Sequence, residues 1–172
     1  LPHTQGGFAR RIALPVRMLH PLPDGLGMQT AALAEPAAVA WHAIRRAGPI
    51  AGRRVAVIGA GPIGLLVVAA AARHGAAQIV ATDLEPRARR TAAGLGAVAM
   101  DARDAEAIAA LHADVVVESS GTVPGLSAAI SATRRGGTVV VLGLQRSGDI
   151  LVPMANAITR ELNLAGPLRF SG

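Results

Sequence analysis

From residue 54 onward, short apolar runs alternate with longer alanine-rich stretches. The runs cover residues 54–58, 78–82, 97–100, 114–118, 138–142 and 161–165, and they are apolar nearly throughout rather than at every second position. A strand with one wet face alternates polar and apolar residues. A strand without alternation is buried on both faces, as in a parallel sheet covered by helices. The intervening stretches, 62–74, 86–95, 105–111 and 123–133, have helical composition and spacing. Strands that alternate with helices imply right-handed crossovers. The expected fold is therefore α/β, a doubly wound, parallel, six-stranded Rossmann sheet.

Upstream the pattern changes. Residues 6–15 read as a short strand ended by Pro15, followed by a loop with Pro21, Pro23, Gly25 and Gly27. Residues from about 29 to 47 have a helical pattern, with Pro36 suited to a helix's first turn and Gly48-Pro49 as the stop. The chain thus divides into residues 1–25, the edge of another domain, and residues 26–172, the Rossmann domain. It starts without Met and stops just after an apolar segment, so both ends read as cuts.

Composition narrows the choice of partners. The chain has 172 residues, 51% hydrophobic and 16% charged, which suits one packed core and not a disordered polymer. Trp41, Phe8 and Phe170 are its aromatics, so the core is aliphatic. The net charge is +6, and all 17 basic residues are Arg. They fall in scattered pairs (Arg10-Arg11, Arg45-Arg46, Arg53-Arg54, Arg134-Arg135) with no aromatics interleaved, which argues against a nucleic-acid partner. The absence of Cys excludes disulfides and all-Cys zinc sites. The five histidines, His3, His20, His42, His74 and His112, show no HxxxH pairing, so no internal metal site is expected. No leader pattern opens the chain, and the longest apolar stretch, Ile63 to Ala72, is too short to span a bilayer. The expectation is a cytoplasmic protein with no membrane partner.

The strongest motif is Val55-Ala56-Val57-Ile58-Gly59-Ala60-Gly61-Pro62-Ile63-Gly64. A glycine pattern of this kind is weak alone. Here it follows a strand, opens a helix and has an acid 24 residues after Gly59, at Asp83. Gly59 turns the chain out of the strand. Gly61, without a Cβ, lets a pyrophosphate approach the backbone, and Gly64 lets the helix pack close to the sheet. Pro62 presets φ for the first turn, whose free N–H groups face the anion. At the end of its strand, Asp83 can accept hydrogen bonds from the adenosine ribose and would repel a 2′-phosphate, favouring NAD over NADP. Arg87, Arg89 and Arg90 lie close in sequence and pull toward NADP. The competing structural reading makes the glycines a plain turn and Asp83 a helix cap. FAD enzymes and some methyltransferases share such a turn, but an FAD domain usually carries it near its N-terminus, and here about 50 residues precede the strand.

Together with Gly6-Gly7-Phe8-Ala9, Ala34-Glu35-Pro36-Ala37-Ala38-Val39-Ala40, Val117-Glu118-Ser119-Ser120-Gly121, Leu142-Gly143-Leu144 and Leu168-Arg169-Phe170, the glycine turn resembles the medium-chain zinc-dependent alcohol dehydrogenases. The resembling branch holds sorbitol, xylitol and L-idonate dehydrogenases. The resemblance implies a zinc enzyme that oxidises a secondary alcohol of a polyol or sugar acid, with zinc lowering the pKa of the alcohol and hydride passing to the nicotinamide.

It also implies roles for particular residues. Glu35 would be a zinc ligand or a contact to zinc-bound water. Ile63, Asp83, Arg87 and Ser120 would border the cofactor. Leu142, Gly143 and Leu144 would face the nicotinamide carboxamide, and Pro167 and Leu168 would line its pocket. Arg169 and Phe170 would meet the substrate, and an Arg there suits an L-idonate-type carboxylate. Pro167-Leu168 departs from the small-then-aromatic pair usual in the family. The family's remaining zinc ligands, a Cys and a His-Glu pair, are absent from this sequence, so zinc is expected in an intact parent and this chain alone is expected to be inactive. The rival reading is a non-catalytic NAD(H)-binding module. Relatives pair as homo-oligomers through a sheet edge, for which residues 161–165 or 138–142 are the candidates. Glu118, Trp41 and His42 carry no assigned function.

Overall fold

The computed structural model describes residues 6–167; Leu168, Arg169 and Phe170 lie outside the described residues. The chain divides into two compact units, Leu1–Leu33 and Ala34–Gly172.

The first unit holds a 3-10 turn, Val16–Met18, and a single helical turn, α1 (Met28–Ala31), neither of which buries a residue. The strand expected over residues 6–15 does not form. A strand needs a neighbour to take up its N–H and C=O groups, and no described residue pairs with this segment. The helical pattern over residues 29–47 resolves into α1 and, three residues after its end, α2 (Ala34–Arg46), whose first turn holds Pro36 as expected. Pro36 explains the break. It has no N–H to give the Ala32 carbonyl, and its ring would collide with that carbonyl in a continuous helix.

The second unit alternates as expected. After α2 come β1 (Arg54–Ile58), α3 (Pro62–Arg73), β2 (Gln78–Asp83), α4 (Pro86–Gly94), β3 (Val98–Asp101) and α5 (Ala105–Ala109). Then follow β4 (Ala113–Glu118), α6 (Val123–Ala132), β5 (Thr133–Val141), α7 (Met154–Thr159) and β6 (Asn163–Ala165). The strands form one parallel sheet in the order β3-β2-β1-β4-β5-β6. The chain winds outward from β1 to β3, then returns to lay β4 against β1. At that reversal the connections leave β1 and β4 toward opposite faces, and a crevice opens at the strand ends.

Successive residues of one strand serve two cores. Val55 and Val57 of β1 join Val115 and Val117 of β4 under α2 and α3. Ala56 and Ile58 join Val116 and Val139 under α5, α6 and α7. This two-sided burial is why the central strands β1 and β4 are apolar nearly throughout.

Three further details differ from the sequence expectation. Residues 138–142 are no edge, because β5 lies between β4 and β6; β6 is the edge on that side. β5 begins at Thr133, directly after α6, and its register against β4 slips between Ala113 and Val115. β6 starts only at Asn163, since Glu161 takes a left-handed φ of 55° at the end of α7, a short helix the apolar pattern does not mark.

At the N-terminal end of the sheet, Asp114 ties three strands together. Its carboxylate accepts from the Arg54 N–H at 2.9 Å and from Arg134 Nε at 2.6 Å. The Arg134 hydrogen bond is the main reason its carboxyl titrates below the usual carboxylate range; burial opposes the shift, and the Arg54 N–H adds to it. A carboxyl whose pKa is lower in the folded state stabilises that state above its unfolded pKa, about 3.9, and loses the contribution as pH falls through the folded value. Asp114→Asn is therefore expected to lower the melting temperature at pH 7, with the gap to wild type closing below roughly pH 4. A gap independent of pH in thermal melts would contradict this.

Candidate functional site

The crevice at the β1–β4 reversal is built on the turn that leaves β1. Gly59 has φ +94°, donates its N–H to the Thr82 carbonyl at 2.9 Å, and would bring a Cβ to 2.9 Å from the Ser120 nitrogen. A side chain there is excluded by backbone conformation and by space. At Gly64, inside α3, a Cβ would overlap the Gly59 carbonyl oxygen. That oxygen accepts from Ser119 Oγ at 2.7 Å, which bridges β4 to the turn. Both glycines are thus required by the fold itself.

Gly61 is different. Its φ of −65° suits any residue, and a Cβ on it would meet nothing within 4 Å. It precedes Pro62, the first residue of α3, and both are exposed. Neither packing nor backbone strain calls for glycine there. What the missing Cβ leaves open is access to the N-terminus of a 12-residue helix, with its unpaired N–H groups and positive dipole end. Ile63, half-buried, packs against the core and anchors this first turn.

Asp83, the last residue of β2, is half-buried beside the turn. Its Oδ2 accepts from the Ala60 N–H and its Oδ1 from the Glu85 N–H, both at 2.8 Å. The acid therefore braces the glycine turn and the loop into α4, although it is not the cap of that helix, whose N-cap is Glu85. Each carboxylate oxygen can accept a second hydrogen bond, so a ribose acceptor remains available on the same group.

Gly59, Asp83 and Ser120 line a common cleft of about 210 Å³. It is also lined by Ile58, Leu84, Ala102 and Ile108 and by Thr122, Pro124, Gly125 and Ala128 at the start of α6. Thr82 also lines it, and its buried Oγ1 has no partner among the described residues. Most of these wall residues escape sequence reasoning because they come together only at the ends of β2, β3 and β4. The available signal is the rule that ligands sit at the carboxyl ends of strands in such sheets.

The remaining candidates stand apart from this cleft. Arg87 is exposed in the first turn of α4, and Glu35 is exposed in the first turn of α2; neither lines it. The N–H groups of Leu142 and Gly143 both donate to the Glu118 carbonyl at 2.8 Å, and Leu144 is 92% exposed. Pro167 is half-buried at the last described position. Trp41 packs against His74 with ring centroids 4.0 Å apart and the rings tilted by 52°, which makes it a packing residue.

Glu118, unassigned by sequence reasoning, organises the crevice from below. It is fully buried at the end of β4. Its Oε1 accepts from the Ser120 N–H at 2.8 Å, the Ser120 hydroxyl at 2.5 Å and the Gly121 N–H at 3.0 Å. Its Oε2 accepts from Gln145 Nε2 at 3.1 Å. One carboxylate thereby fixes the loop after β4 and the loop after β5, the two that flank the far side of the crevice.

The sequence model of the zinc-binding dehydrogenase family matches residues 62–171. The chain belongs to this family. It is 39% identical to a probable D-xylulose reductase A of Neosartorya fischeri over 98% of its own length and 50% of that protein. Among solved structures it resembles L-idonate 5-dehydrogenase from Escherichia coli, with 35% identity and a TM-score of 0.81 over 87% of this chain and 44% of that one. It also resembles a zinc-binding dehydrogenase from Sinorhizobium meliloti bound to NADP, with 30% identity and a TM-score of 0.77 over 84% of this chain and 45% of that one. The chain spans about half the length of the curated relatives it matches.

The two groups this family implies fare differently here. The open turn at Gly61, the acid at Asp83 and the unpartnered Thr82 hydroxyl suit a nicotinamide dinucleotide. Zinc does not fit: no group of three His, Cys, Asp or Glu converges among the described residues, and Glu35 alone cannot hold the ion. No described helix is long and apolar enough to cross a membrane.

The glycines are expected to separate in unfolding experiments. Gly64→Ala should cost about 1–3 kcal/mol, because the new methyl must displace the Gly59 carbonyl. Gly61→Ala should stay within about 1 kcal/mol of wild type, the cost of a poorer helix cap. Equal losses in urea titrations would remove the distinction.

Proposed function

We propose that this chain binds NAD(H) in the crevice and serves as the nucleotide-binding half of an oxidoreductase acting on a polyol or sugar acid. Gly61 carries the reading: its glycine has no reason in packing or backbone geometry and has one if a phosphate must reach the backbone. On this reading the pyrophosphate lies over the first turn of α3 at Gly61, Pro62 and Ile63. The adenosine lies between Leu84, Ala102 and Ile108, its ribose hydroxyls donating to Asp83. The nicotinamide end points toward Ser120 and the loop at Leu142, Gly143 and Leu144, which Glu118 holds in place. The bound nicotinamide supplies the hydride acceptor or donor. The protein's part is to hold it in one orientation and keep water from it.

NAD is favoured over NADP because the Asp83 carboxylate would repel a 2′-phosphate. An L-idonate-type substrate is supported by the likeness to L-idonate 5-dehydrogenase and by Arg169-Phe170 in the sequence; a sorbitol- or xylitol-type polyol is the alternative. Residues 1–25 belong, on the same reading, to the edge of the catalytic domain, and Glu35 to the metal side of the parent protein's site. Homo-oligomers would form through β6, where Leu164 is exposed on the free sheet edge. A second reading, a binding module without catalysis, is favoured by the lack of converging metal ligands among the described residues.

Calorimetric titration with NADH tests the cofactor reading. Asp83→Ala is expected to weaken binding by about 1.5–3 kcal/mol, the range for hydrogen bonds to a charged group, or roughly 10- to 150-fold in Kd. Gly61→Ala is expected to weaken it by about 1–3 kcal/mol through steric conflict with the pyrophosphate while leaving stability nearly unchanged. Wild-type affinity in the Gly61 variant would overturn the pyrophosphate placement, and wild-type affinity in the Asp83 variant would overturn the ribose placement.

A further inference from the structure

β2 and β3 end side by side on two acids. Asp83 and Asp101 are register partners, and Ala102, the next residue, lines the cleft. Asp101 holds two arginines. Arg89 Nη2 lies 3.1 Å from its Oδ2, and Arg103 Nη1 lies 3.2 Å from its Oδ1. The arginines are not equivalent. Arg89 is mostly buried and also donates to the Asp83 carbonyl at 2.7 Å and the Leu84 carbonyl at 2.9 Å, so the backbone alone would keep it in place. Arg103 is 67% exposed, and among the described residues its side chain has, apart from Asp101, only a 3.4 Å contact to the Leu84 carbonyl. Its guanidinium thus stands at the Leu84–Ala102 wall of the cleft, held chiefly by one carboxylate.

We propose that Asp101 is a cofactor-specificity residue, which holds Arg103 against the end of β3 and so withholds from a 2′-phosphate a guanidinium at that wall tethered mainly by a side chain. The inference rests on the NAD(H) reading above and deepens it: discrimination against NADP comes from the repelling acid at Asp83 and also from an arginine kept occupied. An arginine released at this wall would offer a phosphate paired, charge-assisted hydrogen bonds. The Asp101 carboxyl titrates below the usual carboxylate range, first through the Arg103 N–H, with burial opposing and the two arginines adding to the shift, so it is an anion at neutral pH.

The test titrates the full chain with NADH and with NADPH, for wild type, Asp101→Asn, Arg103→Ala and the double variant. Asn can still accept the Arg103 N–H, so the turn is kept while the charge is lost. Asp101→Asn is expected to tighten NADPH relative to NADH by roughly 3- to 10-fold, a modest gain because exposed ion pairs are weak. The gain should disappear in the double variant, and Arg103→Ala alone should leave the wild-type ratio unchanged. An unchanged ratio in Asp101→Asn, or a gain that survives without Arg103, overturns the inference while the NAD(H) reading stands. A loss of NADPH affinity in Arg103→Ala alone overturns it too, and this arm needs no change at Asp101. Wild-type protein that binds neither nucleotide overturns the cofactor reading and this inference with it.

Discussion

The crevice depends on how closely α3 approaches the end of β1. The Gly59 carbonyl oxygen occupies the space a side chain on Gly64 would need, and Ser119 Oγ, delivered by β4, donates to that oxygen. Three elements meet within one or two atomic diameters. A helix packed this tightly against the strand end directs its N-terminal N–H groups across the sheet edge, where the neighbouring strands leave a gap. With a methyl at Gly64 the helix would have to lift, and the turn, the Ser119 bridge and the cleft wall at Ser120 would move with it.

The ends of β2, β3 and β4 share a second device. Asp83 accepts from the N–H of Glu85, Asp101 from that of Arg103, and Glu118 from that of Ser120. In each case a carboxylate at the last strand residue captures the amide two positions on and turns the chain out of the sheet. The consequence is chemical as well as structural. The carboxyl edge of the sheet acquires a row of acids, each partly neutralised by local N–H groups or arginines. Asp83 keeps acceptor capacity toward the cleft, Asp101 spends its charge on Arg89 and Arg103, and Glu118 is buried and satisfied by the loops it fixes. One turn motif, set in three environments, gives a brace for the glycine turn, an arginine holder and a loop anchor.

Membership of the zinc-binding dehydrogenases joins these features to a chemistry that the chain carries only in part. Of the residues suited to a dinucleotide, Gly59, Asp83 and Ser120 lie together in one cleft. Those suited to a metal do not, since Glu35 stands exposed on α2 with no converging ligands among the described residues. The separation is physical: dinucleotide recognition uses backbone geometry local to one strand–turn–helix unit, whereas a zinc site needs ligands gathered from distant parts of a chain.

The sequence by itself determined the sheet and its turn. Runs apolar throughout required two-sided burial, and the spacing of Gly59, Gly61, Gly64 and Asp83 reports a local unit whose geometry hardly depends on the rest of the fold. The six strands, their parallel pairing and the Pro62 helix start follow from such local facts. Where the reading failed, the deciding partner was distant or absent: residues 6–15 have no described strand to pair with, and β5 proved internal because β6 lies outside it. The break before α2 was readable at Pro36, whose ring bars a continuous helix. The surroundings of Glu118, Thr82 and Asp101 were decided by tertiary structure. Each sits at a strand end whose neighbours on the adjoining strands and loops come beside it only when the sheet assembles. A carboxylate's function depends on which donors surround it, and those donors are set by the fold.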